Sequence, residues 1–276
     1  MAELFLRGQP LADATGTPFP IEAVLFDKDG TLCISEPMLH TLAEARVFHA
    51  CELLLLRHPE LPASRGDELA QLLQRAYGLR DSSIHPAGAT AVGSRSHNLI
   101  STATALAQVG LGWPEALELS ESVFTSTDGL HGQGSEHRPI ATAGLHDLMQ
   151  ALQEAGVVCA VISNDDEAGI EAFLASQNLR SRFQGLWSAD HNPRKPDPAA
   201  VHALCAQLGI QPNRCALIGD ANSDLRMAQQ AGLPVVLGYG AGWSIAPPLD
   251  PRFPCLQHWR ELQVNAGQHI GCVQLN

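Results

Sequence analysis

The sequence predicts an α/β fold in which a parallel sheet with crossover helices is interrupted by a helical insert. Two observations lead there. Five short apolar runs, Ile21–Phe26, Val157–Ser163, Phe183–Trp187, Cys215–Gly219 and Pro234–Leu237, have the length and β-rich composition of buried strands. Between and after them lie segments of helical periodicity, the alternation that a parallel sheet requires.

The elements follow in chain order. Residues 1–20 suggest a short hairpin, with weak alternation over Glu3–Leu6 and a turn at Thr15-Gly16-Thr17-Pro18. Ile21–Phe26 is the first core strand. From Glu36 to His131 the chain reads as helical: Pro37–Arg57, Arg65–Tyr77, His97–Val109 and Pro114–Thr125, punctuated by Pro59, Pro62, Pro86 and several glycines. Ser126–Pro139 reads as the return linker. Thr142–Ala155, Glu167–Gln177, Pro198–Leu208 and Asp224–Ala231 then fit helices, and Gly156, Gly209 and Gly232 fall where C-terminal caps belong. After Gly238 the tail is rich in Gly and Pro, and His258–Leu262 suggests a short closing helix. The expected organisation is a Rossmann-like core of residues 1–35 and 136–276 around a helical cap of residues 36–135.

Composition excludes several classes of function. The chain carries 29 acidic and 17 basic residues, a formal charge of −12, so a nucleic-acid polymer is not an expected partner. No run approaches the roughly 20 apolar residues of a membrane helix, and the first residues lack the basic and apolar regions of a secretion signal. A cytoplasmic protein without a membrane partner is expected. The seven cysteines form no Cys-x-x-Cys pair, which argues against a zinc site or a disulfide framework. Cys159 and Cys215 sit in apolar runs and read as core residues. None of His40, His49, His85, His97 and His131 in the insert shows a metal-binding spacing.

Chemistry concentrates at the strand ends. The first strand runs into Asp27-Lys28-Asp29-Gly30-Thr31, the second into Ser163-Asn164, and a later one into Gly219-Asp220 with Asp224 four residues on. Lys195, one of two lysines in the chain, stands in Arg194-Lys195-Pro196-Asp197 just before a helix. Ligands of open parallel sheets bind outside the carboxyl ends of the strands. Any one of these residues is plausible in an ordinary turn; the ordered set Asp, Ser, Lys, Asp on one face suits phosphoryl transfer. A phosphate monoester is a dianion, which an aspartate approaches only with charge compensation. A hard cation such as Mg²⁺ held by carboxylates and a lysine point charge provide it. Ser163 and backbone N–H groups add hydrogen bonds, and Gly30 permits the sharp turn that aims them.

On these residues the chain resembles the haloacid dehalogenase superfamily, in its phosphoglycolate-phosphatase-like branch with a C1-type helical cap. Asp27–Thr31 matches that family's Asp-x-Asp-Gly-Thr/Val motif, Ser163 its Ser/Thr motif, Lys195 its lysine motif, and Gly219–Asp224 its Gly-Asp-x-x-x-Asp motif. The resemblance implies a Mg²⁺-dependent phosphatase. Asp27 would attack phosphorus to form an aspartyl-phosphate, and Asp29 would protonate the leaving oxygen and then take a proton from water. Mg²⁺ would be held by the Asp27 carboxylate, the Asp29 backbone carbonyl and Asp220, with Asp224 at its edge. Ser163, Lys195, Gly30 and Thr31 would bind the phosphate, with Asn164 beside them. Lys28 should point its side chain away, with its backbone N–H as the expected contributor.

Relatives of this family that catalyse other reactions differ at identifiable positions. A dehalogenase lacks the acid that Asp29 supplies. A phosphonatase needs a cap lysine, and the insert has none. A β-phosphoglucomutase-like enzyme carries Val where Thr31 stands, with a further acid soon after. The expected substrate is a small phosphorylated metabolite such as phosphoglycolate or a sugar phosphate. A phosphomutase and a non-catalytic phospho-ligand-binding protein remain as alternatives. Within the insert, Gly88–Asn98 reads as a small polar loop reaching the site, and Arg95 is its candidate for binding a carboxylate or second phosphate.

Overall fold

A computed structural model describes residues 1–129 and 138–266. The end of the expected insert at 135, the return of the core at 136, His131 and Cys272 lie outside them. In chain order the elements are β1 (Ala2–Leu6), β2 (Gln9–Pro10), β3 (Ala23–Phe26), β4 (Cys33–Ile34), α1 (Glu36–Arg57), α2 (Ser64–Tyr77), α3 (Ala89–Val92), α4 (Arg95–Gln108) and α5 (Trp113–Asp128). They continue with β5 (Ile140–Ala141), α6 (Leu145–Glu154), β6 (Val158–Ile162), α7 (Glu167–Ser176), β7 (Gly185–Trp187), α8 (Pro198–Leu208), β8 (Cys215–Gly219), α9 (Asn222–Gln230), β9 (Val235–Tyr239), β10 (Cys255–Leu256) and β11 (Leu262–Ala266).

The core is a six-stranded parallel sheet in the order β10-β9-β8-β3-β6-β7. Five of these strands coincide with the predicted runs. β3 lies centrally, between β8 and β6, with Phe26 opposite both Ile218 and Val161. Successive side chains of a strand alternate faces. Val24 and Phe26 therefore pack with α6 and α7, while Ala23 and Leu25 pack with α8 and α9. Cys159 and Cys215 are buried in these layers.

Between β4 and β5 the chain builds its helical insert. These two-residue strands pair antiparallel, Cys33 opposite Ala141 and Ile34 opposite Ile140, so the chain leaves and re-enters the core side by side. On α1 the buried positions Leu42, Ala43, Arg46, Val47, Ala50 and Leu54 form one stripe at helical spacing. That stripe meets Leu69, Leu73 and Tyr77 of α2, Leu106 of α4 and Phe124 of α5 in a second apolar cluster, separate from the sheet. Gly88–Asn98 is not one open loop. It holds α3 and the first residues of α4, whose start is capped by the Ser94 hydroxyl accepting from the His97 N–H.

The ends also differ from expectation. β1 does turn back on β2, but its main partner is β11, in register from Ala2–Ala266 to Leu6–Leu262. His258–Leu262 therefore gives only a three-residue 3₁₀ turn before entering a strand. Alternation over so few residues does not show that a partner strand lies more than 250 positions away. The same turn seats Trp259, 1% exposed, on Tyr239 with ring centroids 4.2 Å apart. Its Nε1–H donates to Thr142 Oγ1 at 2.7 Å, and that hydroxyl donates to the Thr31 carbonyl at 2.9 Å. Trp259→Ala is expected to lower unfolding free energy by about 3–5 kcal/mol in urea titration, because it opens a cavity and strips the buried Thr142 of a partner.

Candidate active site

The parallel register places the carboxyl ends of β3 and β8 side by side. The Asp27 N–H donates to the Ile218 carbonyl at 3.0 Å, so Asp27 and Asp220 emerge from neighbouring strands. Asp224 follows on the first turn of α9. Asp27, Asp220 and Asp224 are all buried, and each offers a carboxylate oxygen within 4.8 Å of the others. Three such acids repel one another strongly in a dry site. Lys195 sits among them: its Nζ lies 2.6 Å from Asp27 Oδ1 and 2.9 Å from Asp224 Oδ1, and it donates to the Ile162 carbonyl at 3.1 Å.

Burial drives the Asp27 carboxyl up to about 6, with Lys195 opposing the rise and Asp224 adding to it. Asp220 is pushed well above the usual carboxylate range by burial and then by Asp27 and Asp224. Burial also penalises the Lys195 ammonium, but Asp224 and Asp27 outweigh it and hold the group above its ordinary value. One lysine thus leaves negative charge uncompensated. All-oxygen donors carrying excess charge fit a hard divalent cation, and Asp27, Asp220 and Asp224 are the residues that could hold it.

Gly30 has φ +78°, and a Cβ there would collide with Trp243 Nε1 and Asp220 Oδ2, so this turn requires glycine. Thr31 is buried and donates to Asp220 Oδ1 at 3.3 Å. Ser163 Oγ accepts from the Asp165 N–H at 3.1 Å at the end of β6. The Asn164 side-chain amide donates to the Val92 carbonyl at 2.9 Å, which ties the site's rim to the insert.

Lys28 departs from expectation. The residue is 2% exposed and its side chain turns into the protein, with Nζ 2.8 Å from Asp29 Oδ1 and 2.7 Å from Asp165 Oδ2. A backbone that turns through Gly30 does not keep strand alternation, so adjacency to Asp27 does not fix its direction. Burial would raise the Asp29 carboxyl, but the Lys28 charge and its hydrogen bonds win and hold it below its usual value. The Asp29 carboxylate is therefore clamped by Lys28 and lies apart from the three clustered acids.

A cavity of about 480 Å³ opens above these groups, within the size range of small-molecule sites. Asp27, Asp29, Ser163 and Asn164 line its core side. The insert contributes Arg46, Thr90, Ser94, Arg95 and Asp128 among others. Arg95 is half-exposed, with Nε 2.8 Å from Asp128 Oδ2. Arg46 escaped sequence reasoning. It is 5% exposed, lies over the Phe124 ring at 3.9 Å from the centroid and reaches Asp128 Oδ1 at 3.2 Å, while its Nε is buried without a partner among the described residues. The signal was available, since Arg46 interrupts the apolar stripe of α1.

Known proteins agree with this architecture. A family model described as haloacid dehalogenase-like hydrolase matches residues 21–232, which takes in every motif above. The chain belongs to this family. Among curated relatives of this haloacid dehalogenase-like hydrolase, a phosphoglycolate phosphatase of Pseudomonas putida is 29% identical over 123 residues, covering 44% of this chain and 45% of the relative. The chain thus spans about half the length of the first curated relatives it matches. A phosphoglycolate phosphatase of Thiobacillus denitrificans is 29% identical over 248 residues, covering 87% of this chain and 94% of that one. An N-acetylmuramic acid 6-phosphate phosphatase of Pseudomonas aeruginosa is 33% identical over 90 residues, 32% of this chain and 40% of the relative. The crystal structure of a predicted phosphoglycolate phosphatase from Haemophilus somnus shares the fold, with a TM-score of 0.59 at 19% identity over 87% of this chain and 95% of that one. No helix among the described residues is long and apolar enough to cross a membrane.

Proposed function

We propose that this hydrolase is a Mg²⁺-dependent phosphatase that cleaves a small phosphate monoester through an aspartyl-phosphate on Asp27. The observation that carries the reading is Lys195 bonded to both Asp27 and Asp224, with Asp220 beside them, beneath an open cavity. Mg²⁺ held by Asp27, Asp220 and Asp224 would supply the positive charge that lets a phosphate dianion approach a carboxylate.

The chain's own groups then divide the work. Lys195 fixes the Asp27 carboxylate and offsets charge as an Asp27 oxygen attacks phosphorus. Ser163 and the backbone N–H groups after β3 and β6 hold the phosphoryl oxygens. Asp29 takes up a proton once the substrate dianion lies beside it, since added negative charge raises a carboxyl that Lys28 otherwise keeps ionised, and it gives that proton to the departing alkoxide as the P–O bond breaks. It then accepts a proton from the water that attacks the aspartyl-phosphate, which frees inorganic phosphate and restores both acids. Lys28 orients Asp29 and favours its ionised form, the one that receives the water's proton.

Residues 36–135 act in this reading as a cap that chooses the ester. The relatives noted above are named for phosphoglycolate and N-acetylmuramic acid 6-phosphate; both are carboxylic acids bearing a phosphate ester. Arg46 and Arg95, on the cap side of the cavity, suit a carboxylate. Replacing either with Gln is expected to raise KM for phosphoglycolate about tenfold or more, the loss of one charge-assisted hydrogen bond. On p-nitrophenyl phosphate, which lacks that group, the change should be small. Equal losses on the two esters would assign the arginines to structure alone. The reading as a whole is tested by phosphate release from a panel of phosphoglycolate, sugar phosphates and nucleoside monophosphates, with and without Mg²⁺. No turnover of any ester would return the protein to the class of phospho-ligand binders.

A further inference from the structure

After β9 the chain enters a loop, Gly240–Ala246, that runs beneath the helical insert and touches three separate parts of the site. Gly242 packs so closely on the Gly30 carbonyl that a Cβ has no room there. Ser244 donates its backbone N–H and its hydroxyl to the Glu36 carboxylate, at 2.7 and 2.9 Å; the same carboxylate accepts the Ile84 N–H at 2.9 Å. Glu36 is 6% exposed and opens α1. Between these anchors lies Trp243, 6% exposed, whose ring belongs to the apolar cluster of the insert although its backbone belongs to the core. Its Nε1–H donates to Asp220 Oδ2 at 2.5 Å.

A buried indole N–H needs an acceptor, and it has no other function to offer than donation. Here the acceptor is a carboxylate of the clustered acids. Among the described residues Asp220 Oδ1 has only the longer bond from Thr31, so Trp243 supplies the main fixed direction for that side chain. A carboxylate has about four acceptor directions, so Asp220 can keep this bond while offering other lone pairs to a cation. Outer hydrogen bonds of this kind orient metal-binding carboxylates, and their removal commonly costs 10–100-fold in metal affinity.

We infer that Trp243 is a positioning residue that sets the Asp220 carboxylate for the cation and makes cation affinity depend on how the helical insert is seated. The ring is held by the insert and the N–H is spent on the core, so a shift of one moves the other. Glu36, through Ser244, fixes the loop at the insert's first turn and completes the linkage. This rests on the metal-dependent reading above.

The test titrates the full chain with Mn²⁺ alone by calorimetry, without substrate. Trp243→Phe keeps an aromatic ring in the apolar cluster, removes the donor and leaves part of the indole's volume unfilled. It is expected to raise the Mn²⁺ dissociation constant about tenfold, with an unchanged far-ultraviolet circular dichroism spectrum. Glu36→Gln leaves both Trp243 and the acids in place but weakens the hold on Ser244. A threefold or greater loss of Mn²⁺ affinity is expected there too, and this second variant decides the matter if the first does not fold. Wild-type affinity in both variants would overturn the inference while leaving the metal reading intact. A wild-type chain that takes up no Mn²⁺ would remove both.

Discussion

Asp27→Asn is expected to reduce kcat by at least about 10⁴-fold while leaving the fold in place. The reacting carboxylate oxygen is replaced by an amide that cannot carry the phosphoryl group, and among the described residues lining the cavity Asp27 is the carboxylate paired with Lys195. Asp27 is buried, with Lys195 at 2.6 Å, so the amide oxygen can still accept that bond. Burial holds the carboxyl at about 6, which means that ionised Asp27 costs the metal-free protein stability above that pH. The variant should therefore unfold at the same temperature as the parent or higher when both are scanned at pH 8 without divalent cations. A lower midpoint would show that the charge is a structural necessity instead of a functional one.

The second large effect belongs to Lys195. In Lys195→Met the three clustered acids lose their shared cation, and breaking a buried pair in this way typically costs about 3–5 kcal/mol. Activity should fall by a factor on the order of 10³ as charge compensation at phosphorus is lost. The pH dependence has a definite sign. Asp27 and Asp220 already have raised values in the folded protein, and loss of the lysine raises them further. Groups raised on folding stabilise at low pH, and that stability is lost as pH rises through their folded values. The variant is thus expected to lie nearest the parent in stability at pH 5 and furthest from it at pH 8. Millimolar Mg²⁺ at pH 8 should recover part of the gap in a thermal melt. A destabilisation independent of both pH and Mg²⁺ would contradict the electrostatic account.

The sheet and the clustered acids were legible in the sequence for the same reason. Buried parallel strands are short continuous apolar runs, and the residues just beyond them have nowhere to go but the carboxyl edge. Asp27, Ser163, Lys195 and Asp220 could therefore be placed together without any long-range information. What stayed hidden depends on distant partners. β10 is two residues long and carries no pattern of its own. β11 has no pattern that marks it until β1 is beside it, and its first residue, Leu262, reads as the end of a short helix. Lys28 turns inward because Asp165, 137 positions away, completes its pairing. Trp243 stands in a loop rich in Gly and Pro, and nothing in its neighbours points to Asp220. Arg46 did leave a mark, a charge interrupting the apolar stripe of α1, but the stripe alone does not show that a cavity lies beside it.

The central claim is that phosphate passes through Asp27, and acid quenching of the protein during turnover of phosphoglycolate or p-nitrophenyl phosphate tests it most directly. Mass analysis of the peptide bearing Asp27–Thr31 should show one added phosphoryl group on Asp27 that forms only with Mg²⁺ and is absent from Asp27→Asn. Turnover that proceeds with this peptide unmodified, and that survives in Asp27→Asn, would contradict the account.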